Sequence, residues 1–195
     1  MSNPLLGVGS LTRIRNFFLE NFTGSSGTNL TAKNPDIGTS WSSLYSGDII
    51  LDGGRARTTN ADALYVSSIS PVDYTITAEL TPGGQNFTGF ACRVISSNSF
   101  YILGADTAGS LWTAWLNNAG VWSSIASTNG GAPVDGTTYT AGIGVIGSTY
   151  TLTINGVARL SVSNNTLSTA HNRFGLYHDF TGGSTADFAV GLPVK

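Results

Sequence analysis

Cysteine is nearly absent from this chain of 195 residues, in which Cys92 is the single example. One cysteine excludes a disulfide within the chain, so the fold cannot depend on the cross-links that stabilise many small secreted domains. Cys92 alternates with Phe90 and Val94, a spacing that predicts a strand with these side chains in the core. No neighbouring motif supports a role for Cys92 as a nucleophile.

Charge is also scarce. Charged residues make up 10% of the sequence and the net charge is -2, whereas about a quarter of the residues are charged in a typical soluble domain. No basic stripe is available for nucleic acid and no polybasic patch for anionic lipid, so we expect neither partner. Ser, Thr, Asn and Gly supply the polar surface instead. Such a surface suits packing against other subunits or sugars, and equally a threonine-rich β-protein whose surface has no special function.

Long apolar runs are missing as well. No stretch approaches the ~18 apolar residues of a membrane-spanning helix. The short apolar stretch that follows residues 1–4 does not have the organisation of a signal peptide. We therefore expect no membrane partner and assembly in a cytosol.

The clearest pattern lies in residues 139–162. Apolar residues alternate with Gly and Thr on both sides of Gly147-Ser148, a pair suited to a two-residue type II′ turn. That turn places six apolar side chains on one face of a sheet, namely Ala141, Ile143, Val145, Tyr150, Leu152 and Ile154. A sheet with one apolar face must bury it, and a second sheet is the natural partner.

The next turn of this meander contains Asn155-Gly156, a pair typical of a two-residue type I′ turn. A one-residue slip inverts a strand. In the two-residue register the following strand would turn three apolar residues away from the apolar face, namely Ala158, Leu160 and Val162. We therefore predict a three-residue loop over 154–156, with Gly156 in the left-handed conformation and a bulge after it.

About a dozen short strands with turn signals between them extend through the chain, and no strong helical period appears. This pattern predicts an all-β, two-sheet antiparallel sandwich or a barrel. No internal repeat or linker divides it. We assign residues 1–16 to an N-terminal arm and residues 17–195 to the β-sandwich domain.

The N-terminal arm combines apolar and basic side chains. Leu11, Ile14 and Phe18 have the spacing of a short helix that Ser10 could cap, and an extended arm is the alternative. An assembly arm would bury its apolar side chains on a neighbour while its arginines pair with carboxylates there. The candidate assembly residues are Leu5, Leu6, Leu11, Arg13, Ile14 and Arg15. Packing of the arm along its own sandwich is the structural alternative.

Several motifs follow one another in a recurrent order. They are Pro-Asp-Ile-Gly at 35–38 followed by Trp41, the hairpin 93–104, Thr-Leu-Thr-Ile-Asn-Gly at 151–156, Arg-Phe-Gly-Leu-Tyr at 173–177 and Asp-Phe-Ala-Val at 187–190. In this order they resemble the concanavalin A-like jelly-roll sandwich in its laminin G-like branch, especially the versions found in tailed-phage virion proteins. The resemblance covers about residues 18–192 and implies two curved antiparallel sheets, one of them concave. It leaves function open, because lectins, glycosidases, adhesion modules and virion parts share this fold.

Carboxylates suited to catalysis are few. Glutamate occurs only as Glu20 and Glu79, and a retaining glycosidase needs two carboxyl groups about 5–5.5 Å apart. The catalytic signature of the glucanase relatives, Glu-x-Asp-x-x-Glu, is absent. His171 and His178 have opposite strand parity, and no nucleophile stands out beside them. We therefore predict that the protein is not an enzyme and has no catalytic residues.

Metal ligands are sparse too. Asp106 and Asp179 lie at predicted strand ends, and some relatives of this fold hold Ca²⁺ at the rim of the sandwich. No dense acidic loop is present, however, and calcium takes six or more oxygen ligands. We interpret both residues as turn aspartates and predict neither a metal nor another cofactor.

Tryptophan is concentrated in one predicted hairpin, at Trp112, Trp115 and Trp122. Sugar rings stack on exposed aromatic faces, and amides hold their hydroxyl groups. Trp112 and Trp115 must face opposite sides of a regular strand, and alternation with Ala114 and Leu116 places Trp112 inside. The candidate carbohydrate-binding residues are Trp115, Trp122, Asn117 and Asn118. The alternative is that all three tryptophans belong to the core or to a subunit contact.

Together these features predict a non-enzymatic structural protein of a tailed-phage virion, assembled in the host cytoplasm. The predicted role is capsid decoration (cement) or that of a tail-associated subunit. The expected partners are other virion proteins and further copies of the chain in a homo-oligomer. The alternative is a lectin-like carbohydrate-binding module that adheres to a host glycan.

Overall fold

The computed structural model describes residues 16–59, 62–84, 86–179 and 182–193. Fifteen strands and one 3-10 helix, Leu30–Ala32, form the regular structure of these residues. The first eight strands are β1 (Asn16–Glu20), β2 (Ser42–Ser43), β3 (Ile49–Asp52), β4 (Arg55–Thr58), β5 (Ala63–Ser68), β6 (Tyr74–Thr81), β7 (Phe87–Ser96) and β8 (Ser99–Asp106). The remaining seven are β9 (Leu111–Asn118), β10 (Val121–Thr128), β11 (Tyr139–Ile146), β12 (Thr149–Ile154), β13 (Val157–Ser163), β14 (Arg173–His178) and β15 (Ser184–Gly191).

The strands form two antiparallel sheets that pack face to face. One sheet has eight strands, in the order β13-β12-β11-β6-β15-β4-β3 with β1 paired to β15, and the other has seven, in the order β10-β9-β8-β7-β14-β5-β2. Side chains of both sheets fill one core, among them Ile76, Leu152, Phe90, Trp112 and Leu176. The predicted all-β, two-sheet antiparallel sandwich is therefore confirmed. Within the described ranges, no helix is long and apolar enough to span a membrane.

The first turn of the predicted meander has the expected register. Val145 pairs with Tyr150 and Ile143 with Leu152 across β11 and β12. All six apolar side chains that the pattern assigned to one face are buried in the core. Gly147 has a φ of 53°, as the first central position of a type II′ turn requires. Alternation within the strands thus predicted both the pairing and the buried face.

The second turn of the meander differs from the prediction. Asn155 and Gly156 have φ angles of 51° and 77°, so they form the two-residue type I′ turn typical of this pair. The register of β12 with β13 shifts after this turn, at Arg159, which is the extra residue of a bulge in β13. Leu160 therefore points into the core as predicted, whereas Ala158 is exposed. The predicted three-residue loop is wrong. The loop has two residues, and the bulge at Arg159 is what turns Leu160 towards the core.

A second bulge reverses the faces of β7. Phe90 and Cys92 lie in the core between the sheets, as predicted. Arg93 then adopts a left-handed backbone conformation, with a φ of 50°, and the pairing with β8 shifts after Cys92. Val94 consequently packs on the outer face of the seven-stranded sheet. The prediction that Val94 shares a face with Cys92 is wrong, because alternation restarts after a bulge.

The N-terminal part of the sandwich begins with β1. Phe18 lies in this strand, pairs with Val190 of β15 and packs its ring against Trp41 at a centroid distance of 5.0 Å. A helical turn that includes Phe18 is therefore excluded. The arm residues Leu5, Leu6, Leu11, Arg13, Ile14 and Arg15 lie outside the described residues. The assembly-arm hypothesis stays a prediction.

The buried position of Cys92 leads to a prediction about its reactivity. Burial raises the pKa of the Cys92 thiol to about 12, and the thiolate is the reactive form. We expect no measurable labelling of the native protein by a thiol reagent at pH 8, and complete labelling in concentrated urea. Colorimetric titration of the thiol with and without urea measures both. Rapid labelling of the native protein would contradict the burial of Cys92.

Candidate functional site

The outer faces of the two sheets differ in polarity. On the eight-stranded sheet the outer face carries short polar side chains such as Thr77 and Thr151, as expected for a sheet with one solvated side. On the seven-stranded sheet the outer face carries a second apolar cluster, composed of Leu64, Val66, Phe87, Ala91, Val94, Phe100, Ile102 and Tyr177. An apolar surface outside the core of a sandwich is typical of a binding surface.

Part of this outer cluster is covered by the segment before β3. Leu44 and Tyr45 pack against it, and the Tyr45 ring lies 6.1 Å from Phe100 and 6.0 Å from Tyr177. The Tyr45 side chain also lies near that of Asn117. The segment is therefore held on one half of the outer face, and the other half remains accessible.

The accessible half forms a groove of about 330 Å³. Its apolar lining consists of Phe87, Ile102, Ala108, Trp115, Trp122 and Tyr177. Its polar lining consists of Asp62, Asn86, Asp106 and Asp179. An apolar, largely aromatic groove with a few polar groups at one end is the usual composition of a site for a small molecule.

Strand alternation positions the aromatic side chains of the groove. Trp115 and Tyr177 follow core residues in β9 and β14, so they point away from the core. Trp122 lies in the edge strand β10, is 40% exposed, and packs edge-on against Phe100 at 5.5 Å. Trp122 also lies 5.8 Å from the Tyr177 ring. Its indole is thus held in place by two rings while one side stays open to solvent.

Two glycines lie in the strands beside the groove. Gly89 of β7 pairs with Gly104 of β8. A Cβ atom on Gly89 would come within 2.4 Å of the Leu103 carbonyl oxygen, and one on Gly104 within 2.4 Å of the Thr88 carbonyl oxygen. The backbones approach so closely here that only glycine fits.

The polar end of the groove is crowded with carboxylates. Asp62 lies near both Asp179 and Tyr177. Burial, the neighbouring Asp62 carboxyl group and the negative charge of Asp106 raise the pKa of Asp179 to about 7. Asp179 therefore holds a proton over part of the neutral range. Oδ1 of Asp179 is buried and has no hydrogen-bond partner in the described part of the protein.

The structure brings together two of the four residues predicted to bind carbohydrate. Trp115 and Trp122 line the groove. Asn117 is buried, accepts a hydrogen bond from the Gly120 amide at 3.0 Å and contacts Tyr45. Asn118 is exposed near the hairpin turn and does not line the groove. Asn117 therefore stabilises a turn, and neither asparagine lines the groove.

The prediction for Trp112 is confirmed. Its side chain lies fully in the core, and its Nε1 donates a hydrogen bond to the Gly131 carbonyl oxygen at 2.6 Å. Trp112 thus anchors the loop after β10 from within the sandwich. The two tryptophans of β9 have different surroundings because they point to opposite faces of the sheet.

The sequence analysis does not identify most of the residues that line the groove. It proposes no ligand-binding role for Asp62, Asn86 or Tyr177, and it interprets Asp106 and Asp179 as turn residues. Asp106 does accept a turn hydrogen bond from the Gly109 amide at 3.1 Å, and it lines the groove as well. The sequence feature that could have indicated the polar residues is their position at the ends of strands, which applies to Asp62, Asn86, Asp106 and Asp179.

The structure describes no metal centre. Among the described residues, no three His, Cys, Asp or Glu side chains are grouped so that they could hold a metal ion. His178 is buried, and its Nε2 shares a hydrogen bond with the Thr185 hydroxyl at 3.0 Å. The backbone carbonyl of His171 instead accepts a hydrogen bond from Arg93. The two histidines take part in different contacts.

No protein-family model and no curated protein sequence matches the chain. Several solved structures, however, superpose on it. The carbohydrate-binding module CBM66 of Bacillus subtilis superposes with a TM-score of 0.65 at 16% identity, over 77% of this chain and 94% of that one. The exoplasmic/lumenal domain of VIP36, in a form with Ca²⁺ and Man3GlcNAc bound, gives a TM-score of 0.59 at 13% identity, over 91% of both chains.

The chain has the concanavalin A-like jelly-roll fold. A galectin of Caenorhabditis elegans also superposes on this jelly roll, with a TM-score of 0.51 at 13% identity over 65% of this chain and 89% of that one. The predicted fold is thereby confirmed. At these identities the likeness establishes the fold alone.

The predicted resemblance to tailed-phage virion proteins receives no support from these matches, which are lectin and carbohydrate-binding domains. The laminin G-like branch, the virion location and the homo-oligomer also remain predictions. The alternative function, carbohydrate binding, is the one that the structural neighbours favour.

Proposed function

We propose that this jelly roll is a carbohydrate-binding domain that holds a glycan in the groove on the outer face of its seven-stranded sheet. The main support for this proposal is that the partly exposed Trp122 lines the same groove as three aspartates and the amide of Asn86. The apolar faces of sugar rings pack on aromatic rings, and their hydroxyl groups donate hydrogen bonds to carboxylate oxygens. Structural neighbours named for carbohydrate binding support the proposal.

The geometry of the groove favours this type of ligand over a purely apolar one. Its floor and walls carry Trp115, Trp122 and Tyr177, while Asn86 and the aspartates stand at one end. Rigid aromatic side chains lose little entropy when they bind, and polar groups at one end orient the ligand. A sugar offers both surfaces, an apolar ring face and an edge of hydroxyl groups.

The proposal includes the absence of catalysis. Neither glutamate of the chain lines the groove, and Glu20 is buried in an ion pair with Lys33. We expect that a bound oligosaccharide is recovered intact after prolonged incubation with the protein.

Replacement of Trp122 by alanine tests the proposed function. We expect the affinity for a glycan identified on an array to fall by at least about tenfold, because a large aromatic contact at the centre of a site contributes more than about 1.4 kcal/mol. Isothermal titration calorimetry measures the change. The matched control is Val121→Ala, at the neighbouring position, which is 70% exposed and does not line the groove.

The control variant should bind as the wild type does. A blank array for the wild-type protein would overturn the proposal. So would a Trp122→Ala variant that binds the identified glycan with unchanged affinity.

A further inference from the structure

The charge of the groove lining has one sign. Asp62, Asp106 and Asp179 line it, and no Lys, Arg or His does so among the residues that the structure describes. Elsewhere among the described residues, the buried carboxylate of Glu20 pairs with Lys33 at 2.5 Å, and the partly exposed carboxylate of Asp73 pairs with Arg93 at 3.2 Å. The carboxylates of the groove are therefore exceptional in lacking a counter-charge.

The acidic end of the groove also has unused hydrogen-bonding capacity. Asp179 contributes a buried Oδ1 that has no hydrogen-bond partner among the described residues. An unpaired buried carboxylate oxygen costs free energy, and a donor group supplied by a ligand would recover it. A positively charged donor would do so more effectively than a hydroxyl group, because hydrogen bonds between charged groups are shorter and stronger.

The aromatic lining also favours a cation. Trp122 and Tyr177 line the groove with their rings 5.8 Å apart, and the buried Phe100 ring packs against both. The face of an aromatic ring carries partial negative charge and attracts a cation, most strongly when the ring is that of tryptophan. A ligand with a positive group would thus interact favourably with both the rings and the carboxylates.

We propose that the groove selects saccharides that carry a protonated amine, such as oligomers of glucosamine, over neutral and anionic saccharides. This inference rests on the proposed function and specifies its ligand class. The discriminating groups are the aspartates at the polar end, and the aromatic rings bind the sugar whether or not it is charged. Sialylated and uronic acid-containing glycans would place a further carboxylate beside Asp62 and Asp106 and are disfavoured by repulsion.

The test compares two ligands that differ in the amine. A glucosamine hexamer has a free amine on each ring, whereas the N-acetylglucosamine hexamer has the same backbone with each nitrogen acylated and uncharged. We expect calorimetry near pH 6.5 to show at least about tenfold tighter binding of the amine form. We expect this preference to shrink as sodium chloride is raised from about 50 mM to about 500 mM, because salt screens exposed charges.

Variants locate the preference within the groove. Asp106→Asn keeps the oxygen that accepts the Gly109 hydrogen bond, so the turn is preserved while one charge is removed. It should reduce the preference for the amine by several-fold. The matched control is Glu79→Gln, which removes one negative charge on the opposite sheet, where the Glu79 side chain is 45% exposed and pairs with Arg55. The control should leave the preference unchanged.

The outcomes separate the two proposals. Equal affinity for both hexamers, or tighter binding of a neutral or sialylated glycan, would overturn the amine selectivity and leave carbohydrate binding standing. A preference that survives in Asp106→Asn but falls in Glu79→Gln would also overturn it, because the selecting charge would lie outside the groove. Failure of every saccharide on the array to bind would overturn the proposed function itself.

Discussion

Replacing Arg93 with alanine should lower the free energy of unfolding by about 2–5 kcal/mol. The Arg93 side chain is fully buried. It donates hydrogen bonds to the carbonyl oxygens of Val72, His171 and Gly147 and to a carboxylate oxygen of Asp73, which lies 3.2 Å away. One guanidinium group thus joins three loops at one end of the sandwich. Its removal takes one donor away from three carbonyl oxygens and opens a cavity, whereas Asp73 keeps the hydrogen bond from the Gly147 amide at 2.9 Å.

Urea unfolding followed by tryptophan fluorescence measures this loss. Arg57→Ala is the matched control, because Arg57 pairs with Asp52 at 2.7 Å while both side chains are more than 40% exposed. Exposed ion pairs contribute at most about 1 kcal/mol, so the control should lose little. Arg93→Lys should also be destabilised, because an ammonium group cannot reach all four acceptors. A loss in Arg93→Ala no larger than that of the control would contradict the interpretation.

Acid should destabilise the protein through His178. Burial lowers the pKa of His178 to about 4 in the folded state, whereas the value in an unfolded chain is about 6.5. Between these values the unfolded state binds a proton that the folded state does not, so stability is lost as the pH falls from about 6.5 to about 4. A pKa difference of one corresponds to about 1.36 kcal/mol, so the full loss is about 3 kcal/mol.

The opposite shift at Asp179 must be separated from this effect. The folded-state pKa of Asp179 is raised to about 7, so this carboxyl group favours the folded state more as the pH falls through that value. Comparison of His178→Gln with the wild type at each pH isolates the histidine. The variant should gain about 3 kcal/mol relative to the wild type between pH 7 and pH 4. A constant difference across this range would contradict the buried, neutral state of His178.

His171→Gln is the matched control for this experiment. His171 is partly exposed, and its contact with Arg93 uses the backbone carbonyl, which the substitution keeps. The control should retain the acid loss, because His178 is still present. Chemical denaturation at fixed temperature in a pH series is the appropriate measurement, since each curve yields a free energy of unfolding.

The sequence predicted the fold best where strands alternate without interruption. The pairing of Val145 with Tyr150 and the burial of Leu152 followed from the spacing of apolar residues and from one turn pair. The prediction failed at Arg93 and at Arg159, where a bulge adds one residue and exchanges the two faces of the strand. A bulge has a weak sequence signature because it depends on what the neighbouring strand presents.

The candidate site was predictable only in part. The outward direction of Trp115 could be predicted, because alternation within β9 places Trp112 in the core and therefore Trp115 on the other face. Asp62, Asp106 and Asp179 come from three different strand ends, separated by long stretches of sequence. No spacing within the sequence indicates that these carboxylates meet, because the order of strands in the sheet decides which ends are neighbours.

The alternation of side chains was sufficient to determine the all-β character, the meander and much of the core, because burial of every second residue acts locally along each strand. Tertiary structure decided the groove. It placed β14 between β5 and β7, so that Tyr177, Asp62 and Asp179 came together, and it reversed β7 at Arg93. The physical reason is that contacts between strands distant in sequence depend on the packing of both sheets at once, whereas the faces of one strand do not.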